Sequence, residues 1–189
     1  MRGKKYFLTL AVVYLAYMTH GIQAIVLSQN MDALALQWGT DSAGIYSAIA
    51  YIGLAKFLTV WICGEISDKV GRKKMAAIGA VLHVIFFGGC LLTTNFTVAC
   101  FLAFLSGAAT SFFDGSLYAA AQESWVKAPG AATILIKGFI SVSGLIYPML
   151  VVILRAQGGG AWRIGLMLPI VMSDVLLVLA LIAPYSYDE

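Results

Sequence analysis

The sequence predicts an all-α integral membrane protein with six transmembrane helices. Of its 189 residues, 61% are hydrophobic and only 11% are charged, whereas soluble domains are about half apolar and about a quarter charged. The mean hydropathy of +0.90 agrees with this composition. A bilayer core of about 30 Å requires about 20 apolar residues in a helix, and six segments of the chain meet that requirement.

The six predicted spans are separated by residues that favour turns. The spans cover residues 6–29, 42–63, 75–94, 96–121, 131–154 and 164–184. Between them lie the mixed polar segment 30–40, Asn95, the Ala-Pro-Gly run 128–130 and the three glycines 158–160. Each break therefore lies where the apolar pattern is interrupted.

The basic residues between the spans predict the orientation in the membrane. One side collects Arg2, Lys4, Lys5, Lys69, Arg72, Lys73, Lys74 and Lys127. The other side has Arg155 and Arg163. Because Lys and Arg are enriched in cytoplasmic loops, both termini are expected in the cytoplasm and the protein in the cell membrane. The first span is too long for a signal peptide and is predicted to be a retained anchor.

Composition and motifs argue against several other classes of protein. The net charge of +3 is dispersed among apolar runs, so no nucleic-acid surface is expected. Cys63, Cys90 and Cys100 lie inside apolar runs without CxxC spacing, which argues against disulfides and zinc. Nucleotide-binding and hydrolase motifs are also missing from the sequence. We therefore expect no enzyme, no cofactor and no metal site, and a lipid bilayer as the surroundings.

One motif joins the second and third spans. The residues in question are Gly64, Asp68, Lys69, Gly71, Arg72, Lys73 and Lys74. Glycines permit a tight turn, and a basic cluster favours the anionic inner leaflet, so charge alone would allow a simple topology anchor. The complete pattern, however, resembles the G-x-x-x-D-[RK]-x-G-R-[RK]-[RK] signature of the major facilitator superfamily, which lies in that family at the same loop.

The resemblance implies a fold and a partner. Such transporters have two six-helix halves, each made of two inverted three-helix repeats, and this chain would be the N-terminal half. The missing C-terminal half or a second copy is then expected as partner, because a lone half has nothing to rock against. The resemblance also implies that Asp68 touches the other half and that Arg72 pairs with an acid of the fourth helix, for which Glu123 is the candidate.

Four ionisable residues lie inside the spans, where each is costly unless it faces the interior or a partner. Lys56 and Asp114 are at similar depth, so they are predicted either to form a structural salt bridge or to make Asp114 a regulated proton site. Lys137 is expected to extend to the interface. Asp174 is interpreted as neutral scaffold, proton carrier or part of a self-association surface.

The first and fourth spans carry polar residues at helical spacing. Small residues recur every fourth position in the fourth span and predict close helix packing: Ala99, Ala103, Gly107, Ser111, Gly115 and Ala119. A neighbouring face carries Ser106, Thr110, Asp114 and Tyr118, and the first span carries Tyr17, His20 and Gln23. We predict that these two polar faces line a cavity. His20 is either a proton shuttle or a neutral, hydrogen-bonded side chain.

The sequence therefore predicts half of a secondary transporter that moves a small polar or amphipathic solute by alternating access, as a symporter or antiporter. Asp114 and Asp174 leave proton coupling open. The family's drug antiporters often have an arginine where this chain has Ala103, and a Gly-Pro dipeptide in the fifth span, where this chain has an isolated Pro148. The alternative is a half-size membrane protein that regulates or scaffolds another transporter.

Overall fold

The computed structural model describes residues 6–158 and 160–186. These residues form seven helices: α1 Phe7–Gln29, α2 Met31–Trp38, α3 Ser42–Val70, α4 Arg72–Leu92, α5 Phe96–Ser124, α6 Pro129–Ala156 and α7 Trp162–Ile182. Among them, six are long and apolar enough to cross a membrane. The predicted all-α, six-span fold is confirmed. The predicted basic residues Arg2, Lys4 and Lys5, and also Gly159, lie outside the described residues.

Helix α2 was not expected from the sequence, which predicts only a polar connection over 30–40. Leu34 and Trp38 are buried within it, so even this short segment has one apolar face to pack. The helix ends at Gly39, whose φ of 66° is the left-handed conformation that glycine adopts easily. The Gln37 amide donates to the Thr93 carbonyl at 2.8 Å, which fastens α2 to the end of α4.

Helix α3 continues seven residues past Cys63, where the predicted span ends. The segment 64–70 contains no proline, so nothing breaks the helix before Gly71. Gly71, with a φ of 98°, separates α3 from α4. Gly64, Asp68 and Lys69 therefore lie on the last turns of α3, and only Gly71 forms the turn. This corrects the expectation that both glycines of the motif shape a loop.

Helices α3, α5, α1 and α6 lie side by side, in that order, in one layer of the bundle. Helices α4 and α7 pack behind this layer. Apolar side chains form two buried cores, one toward each end of the bundle. Helices α3 and α6 expose large apolar side chains on their outer faces, such as Phe57, Trp61 and Leu145. Because α1 and α5 lie at the centre of the layer, their polar residues meet between the two cores.

Helices α3 and α5 approach closely along the stripe of small residues. A Cβ added to Gly115 would lie 2.8 Å from the Cys63 carbonyl, and one added to Gly107 would collide with the Ile52 carbonyl. The Thr59 hydroxyl donates to Ser111 Oγ at 2.8 Å between these two positions. The small-residue stripe is therefore used for packing against α3, as small residues commonly are in membrane bundles.

Candidate functional site

The carboxylate of Asp114 joins three helices. Its Oδ2 lies 2.9 Å from Lys56 Nζ of α3, and its Oδ1 accepts a hydrogen bond of 2.9 Å from the Tyr17 hydroxyl of α1. The Lys56 side chain is 41% exposed and that of Asp114 is 20% exposed. The salt bridge considered from the sequence is present. It is partly exposed rather than sealed in an apolar core, and we call this exposed side of the layer its open side.

A second polar group lies next to this pair. His20 Nδ1 lies 3.1 Å from Gln23 Oε1 and 3.4 Å from the Thr110 hydroxyl oxygen. Thr110 in turn donates to the Ser106 carbonyl at 3.2 Å. Within the part of the chain that the structure describes, the buried Gln23 Nε2 and Ser106 Oγ have no hydrogen-bond partner. The predicted polar faces of α1 and α5 are thus brought together, with two donors unused.

Lys137, which is exposed, also approaches this region. Its Nζ lies 5.4 Å from the centroid of the Tyr118 ring, within cation–π range. Tyr118 in turn meets the Tyr17 ring edge-on at 5.2 Å. Helix α6 begins at Pro129, so Lys137 lies about 12 Å along it. That depth, together with the position of α6 beside α1, explains why Lys137 reaches the site.

An apolar cavity of about 600 Å³ lies toward the beginning of α1, and none of the polar residues described above lines it. Its walls include Tyr14, which lies one turn before Tyr17, and also Met18, Trp125 and Phe139. The rings of Tyr14 and Phe139 stack at 4.7 Å. No sequence pattern predicts this cavity, because its lining residues are of the same types as lipid-facing residues.

The motif between α3 and α4 is held by Arg72. Its Nη1 donates to Asp68 Oδ1 at 2.7 Å and to Ser67 Oγ at 2.8 Å, and its Nη2 lies 3.3 Å from Glu123 Oε1. The predicted contact between Arg72 and Glu123 is present. The Arg72 side chain is only 8% exposed, whereas that of Asp68 is 65% exposed. Lys73 follows on the first turn of α4.

Two other singled-out residues lie away from the cluster. Asp174 is exposed on α7 and forms no hydrogen bond or ion pair with another described residue. His83 is fully buried, with the rings of Phe87 and Phe113 at 5.6 Å and 5.0 Å. These apolar surroundings favour a packing role for His83.

The sequence profile of the Major Facilitator Superfamily matches residues 7–188 of the chain. The chain belongs to this superfamily. It is an integral membrane domain of a transporter family, with six candidate membrane spans among its described residues. Membership of this family accounts for both the motif at residues 64–74 and the six candidate spans, which together are typical of the N-terminal half of the fold.

Several curated transporters are similar to the chain. It is 39% identical over 146 residues to the inner membrane transport protein YdiN of Escherichia coli strain K12, covering 77% of this chain and 35% of that protein. It is 38% identical over 146 residues to the uncharacterized MFS-type transporter YfkL of Bacillus subtilis strain 168, covering 77% of this chain and 37% of the relative. The multidrug transporter MdfA of Edwardsiella piscicida is 27% identical over 138 residues, which is 72% of this chain and 32% of the relative. The matched region is thus about a third of each relative's length.

Proposed function

We propose that the chain supplies the N-terminal six-helix half of a secondary transporter that moves a small solute across the cytoplasmic membrane by alternating access. The observation that carries the proposal is the convergence of charged and hydrogen-bonding groups from α1, α3 and α5 on Asp114, at the open side of the bundle. A polar site between apolar cores is costly to keep in a membrane unless it serves a substrate or an ion. The relatives carry transporter names, which favours transport over a regulatory role.

The solute site would be the polar face made by Tyr17, His20, Gln23, Ser106, Thr110 and Asp114. The second six-helix bundle, either another part of a longer chain or a second copy, would face it across the open side. We call this assembly the complete transporter. Its two bundles would rock about the site, so that the site opens alternately to each side of the membrane.

The Arg72 cluster would bias that movement. Arg72 is fixed between α3 and α5 by Glu123 and Asp68, while the Asp68 side chain remains largely exposed at the end of α3. An exposed carboxylate at this place can contact the second bundle in one conformation and lose that contact in the other. Such a differential contact is what shifts a two-state equilibrium.

A cysteine in the polar site tests alternating access without knowledge of the solute. In a background with Cys63, Cys90 and Cys100 replaced by serine, His20→Cys in the complete transporter should react with membrane-impermeant thiol reagents applied from either side. Ser173→Cys is the control, because Ser173 is buried within α7 and should react from neither side. Reaction of the His20→Cys variant from one side only would contradict the proposal.

We also propose that Asp114 couples transport to protons, since protonation would release Lys56 from the ion pair. In proteoliposomes, solute uptake by the complete transporter should fall when an ionophore collapses the pH gradient, and Asp114→Asn should remove that dependence. Asp174→Asn is the matched comparison, because Asp174 lies outside the cluster and should retain the dependence. Uptake that is unaffected by the ionophore would remove the claim of proton coupling.

A further inference from the structure

Only part of the polar face of α1 and α5 is accessible to a solute. Four of its six residues are buried, namely Tyr17, Gln23, Ser106 and Thr110. His20 and Asp114 are half-buried and reach the surface of this half. Each oxygen of Asp114 already accepts one bond, from Lys56 or from Tyr17. His20 is the other residue of this face that a solute can reach.

The neighbours of His20 specify which of its ring nitrogens carries the proton. Nδ1 lies 3.1 Å from Gln23 Oε1 and 3.4 Å from the Thr110 hydroxyl oxygen. Because the Thr110 hydroxyl donates its proton to the Ser106 carbonyl at 3.2 Å, its oxygen can only accept from the ring. The Gln23 carbonyl oxygen likewise accepts and cannot donate. Nδ1 is therefore the donor, since the bonds made at one ring nitrogen fix the tautomer of a neutral histidine.

The charges around His20 favour its neutral form. The charged groups close enough to act on it are Lys56 of α3, Asp114 of α5 and Lys137 of α6. Helix α1 itself contains no Lys, Arg, Asp or Glu. A protonated imidazole would add a third cation beside a single carboxylate, and like charges at close range disfavour the charged form. A neutral ring with its proton on Nδ1 carries a lone pair on Nε2.

Nε2 of His20 is a hydrogen-bond acceptor that the described residues leave unused. They provide no partner for it, and it is not one of the buried unpartnered atoms, so it is accessible at the half-buried side chain. The Tyr17 ring meets the imidazole edge-on at 6.2 Å. The bonds at Nδ1 and this ring contact together fix the direction in which Nε2 is presented.

We propose, on the basis of the function proposed above, that His20 Nε2 accepts a hydrogen bond from an O–H or N–H group of the transported solute. Gln23 and Thr110 are positioning residues that act through His20, because they hold the proton on Nδ1 and keep the Nε2 lone pair free. The solute is then a molecule with a hydrogen-bond donor rather than one that offers only acceptors. A site built to bond such a group discriminates against an analogue that lacks it.

Nitrogen NMR of the purified chain with isotope-labelled histidine measures the tautomer directly. The chain has two histidines, His20 and His83, and the signals lost in His20→Asn assign them. Wild-type His20 should carry its proton on Nδ1. Gln23→Met removes the nearer acceptor and should lower the ratio of the Nδ1–H to the Nε2–H form about fivefold, as expected for loss of one neutral hydrogen bond.

Thr19→Val is the matched control for the tautomer measurement. It removes a buried hydroxyl of α1 that donates to the Ala16 carbonyl and not to His20, so the ratio of the two forms should not change. A wild-type His20 with its proton mainly on Nε2 would overturn the proposal. A ratio that falls as far in Thr19→Val as in Gln23→Met would show that Gln23 does not position the ring.

Phenol and anisole test the donor requirement, because anisole is phenol with its hydroxyl proton replaced by a methyl group. Phenol should shift the His20 Nε2 resonance and bind about fivefold more tightly than anisole. In Gln23→Met this preference should shrink, because Nε2 then carries a proton in more of the molecules, whereas Thr19→Val should retain it. Equal shifts with both probes, or none with either, would overturn the donor assignment. The tautomer is measured without transport, so its outcome is separate from that of the accessibility test with His20→Cys.

Discussion

The Arg72 guanidinium donates hydrogen bonds to three acceptors on two helices, at distances of 2.7, 2.8 and 3.3 Å. Arg72→Ala leaves the Glu123 carboxylate and the Ser67 hydroxyl without this donor in a largely buried place. We expect a loss of about 2 kcal/mol in the free energy of unfolding, below the cost of breaking a fully buried pair because Glu123 is partly exposed. Arg72→Lys should recover only part of it, since an ammonium lacks the planar fork.

The measurement for Arg72 is unfolding of the purified domain in detergent by added denaturant. Lys74→Ala is the matched control, because Lys74 is an exposed cation two residues along the same helix. A loss for Lys74→Ala as large as that for Arg72→Ala would mean that local charge, rather than the hydrogen bonds of Arg72, accounts for the effect.

The pair of Lys56 and Asp114 has a different energetic signature, since both side chains are partly exposed. In a double-mutant cycle, Lys56→Gln and Asp114→Asn should each lower unfolding stability, and the double variant should lose less than the sum. We expect a coupling energy of about 1 kcal/mol, typical of a partly exposed pair. Thermal denaturation of the four proteins measures it, and additive losses would show that the ion pair contributes nothing to stability.

At the scale of helices, the close contact between α3 and α5 depends on glycines of α5, which have no side chain. Gly107→Ala places a methyl group against the Ile52 carbonyl and within 2.8 Å of the Ala55 Cβ, so the two backbones must separate. Overpacking of this kind costs about 1 to 3 kcal/mol. Gly88→Ala on α4 meets nothing within 4 Å and should be neutral or slightly stabilising. Denaturant unfolding of both variants compares them, and equal stability would contradict the close approach.

Helix periodicity accounts for what could be predicted of these elements. The small-residue stripe and the polar face of α5 follow from four-residue spacing, so their neighbours could be expected, whereas the identity of α3 as the packing partner could not. The contact of Lys137 with the Tyr118 ring depends on how α6 packs beside α5, which helical spacing within either segment does not specify. The cavity beside Tyr14 depends on the separation of three helices, which no local pattern specifies.

For the whole molecule, contacts between helix ends define two ends of the bundle. Arg72 joins the start of α4 to the end of α5, and the Thr9 hydroxyl donates to the Pro184 carbonyl, joining the start of α1 to the segment after α7. At the other end, Arg155 donates to the Gln29 carbonyl. Within the described residues, the first end carries Lys69, Arg72, Lys73, Lys74 and Lys127. The second end carries Arg155 and Arg163.

This asymmetry predicts that the Arg72 end faces the cytoplasm, since basic residues in short loops remain on that side. In the background without native cysteines, Lys127→Cys should react with an impermeant maleimide only after the cells are opened. Gln157→Cys, in the exposed connection between α6 and α7, should react in intact cells. The second variant serves as the control for reagent access and expression. Labelling of Lys127→Cys in intact cells would invert the proposed orientation, and the Asp68 and Arg72 cluster would then lie on the outer surface rather than at a cytoplasmic gate.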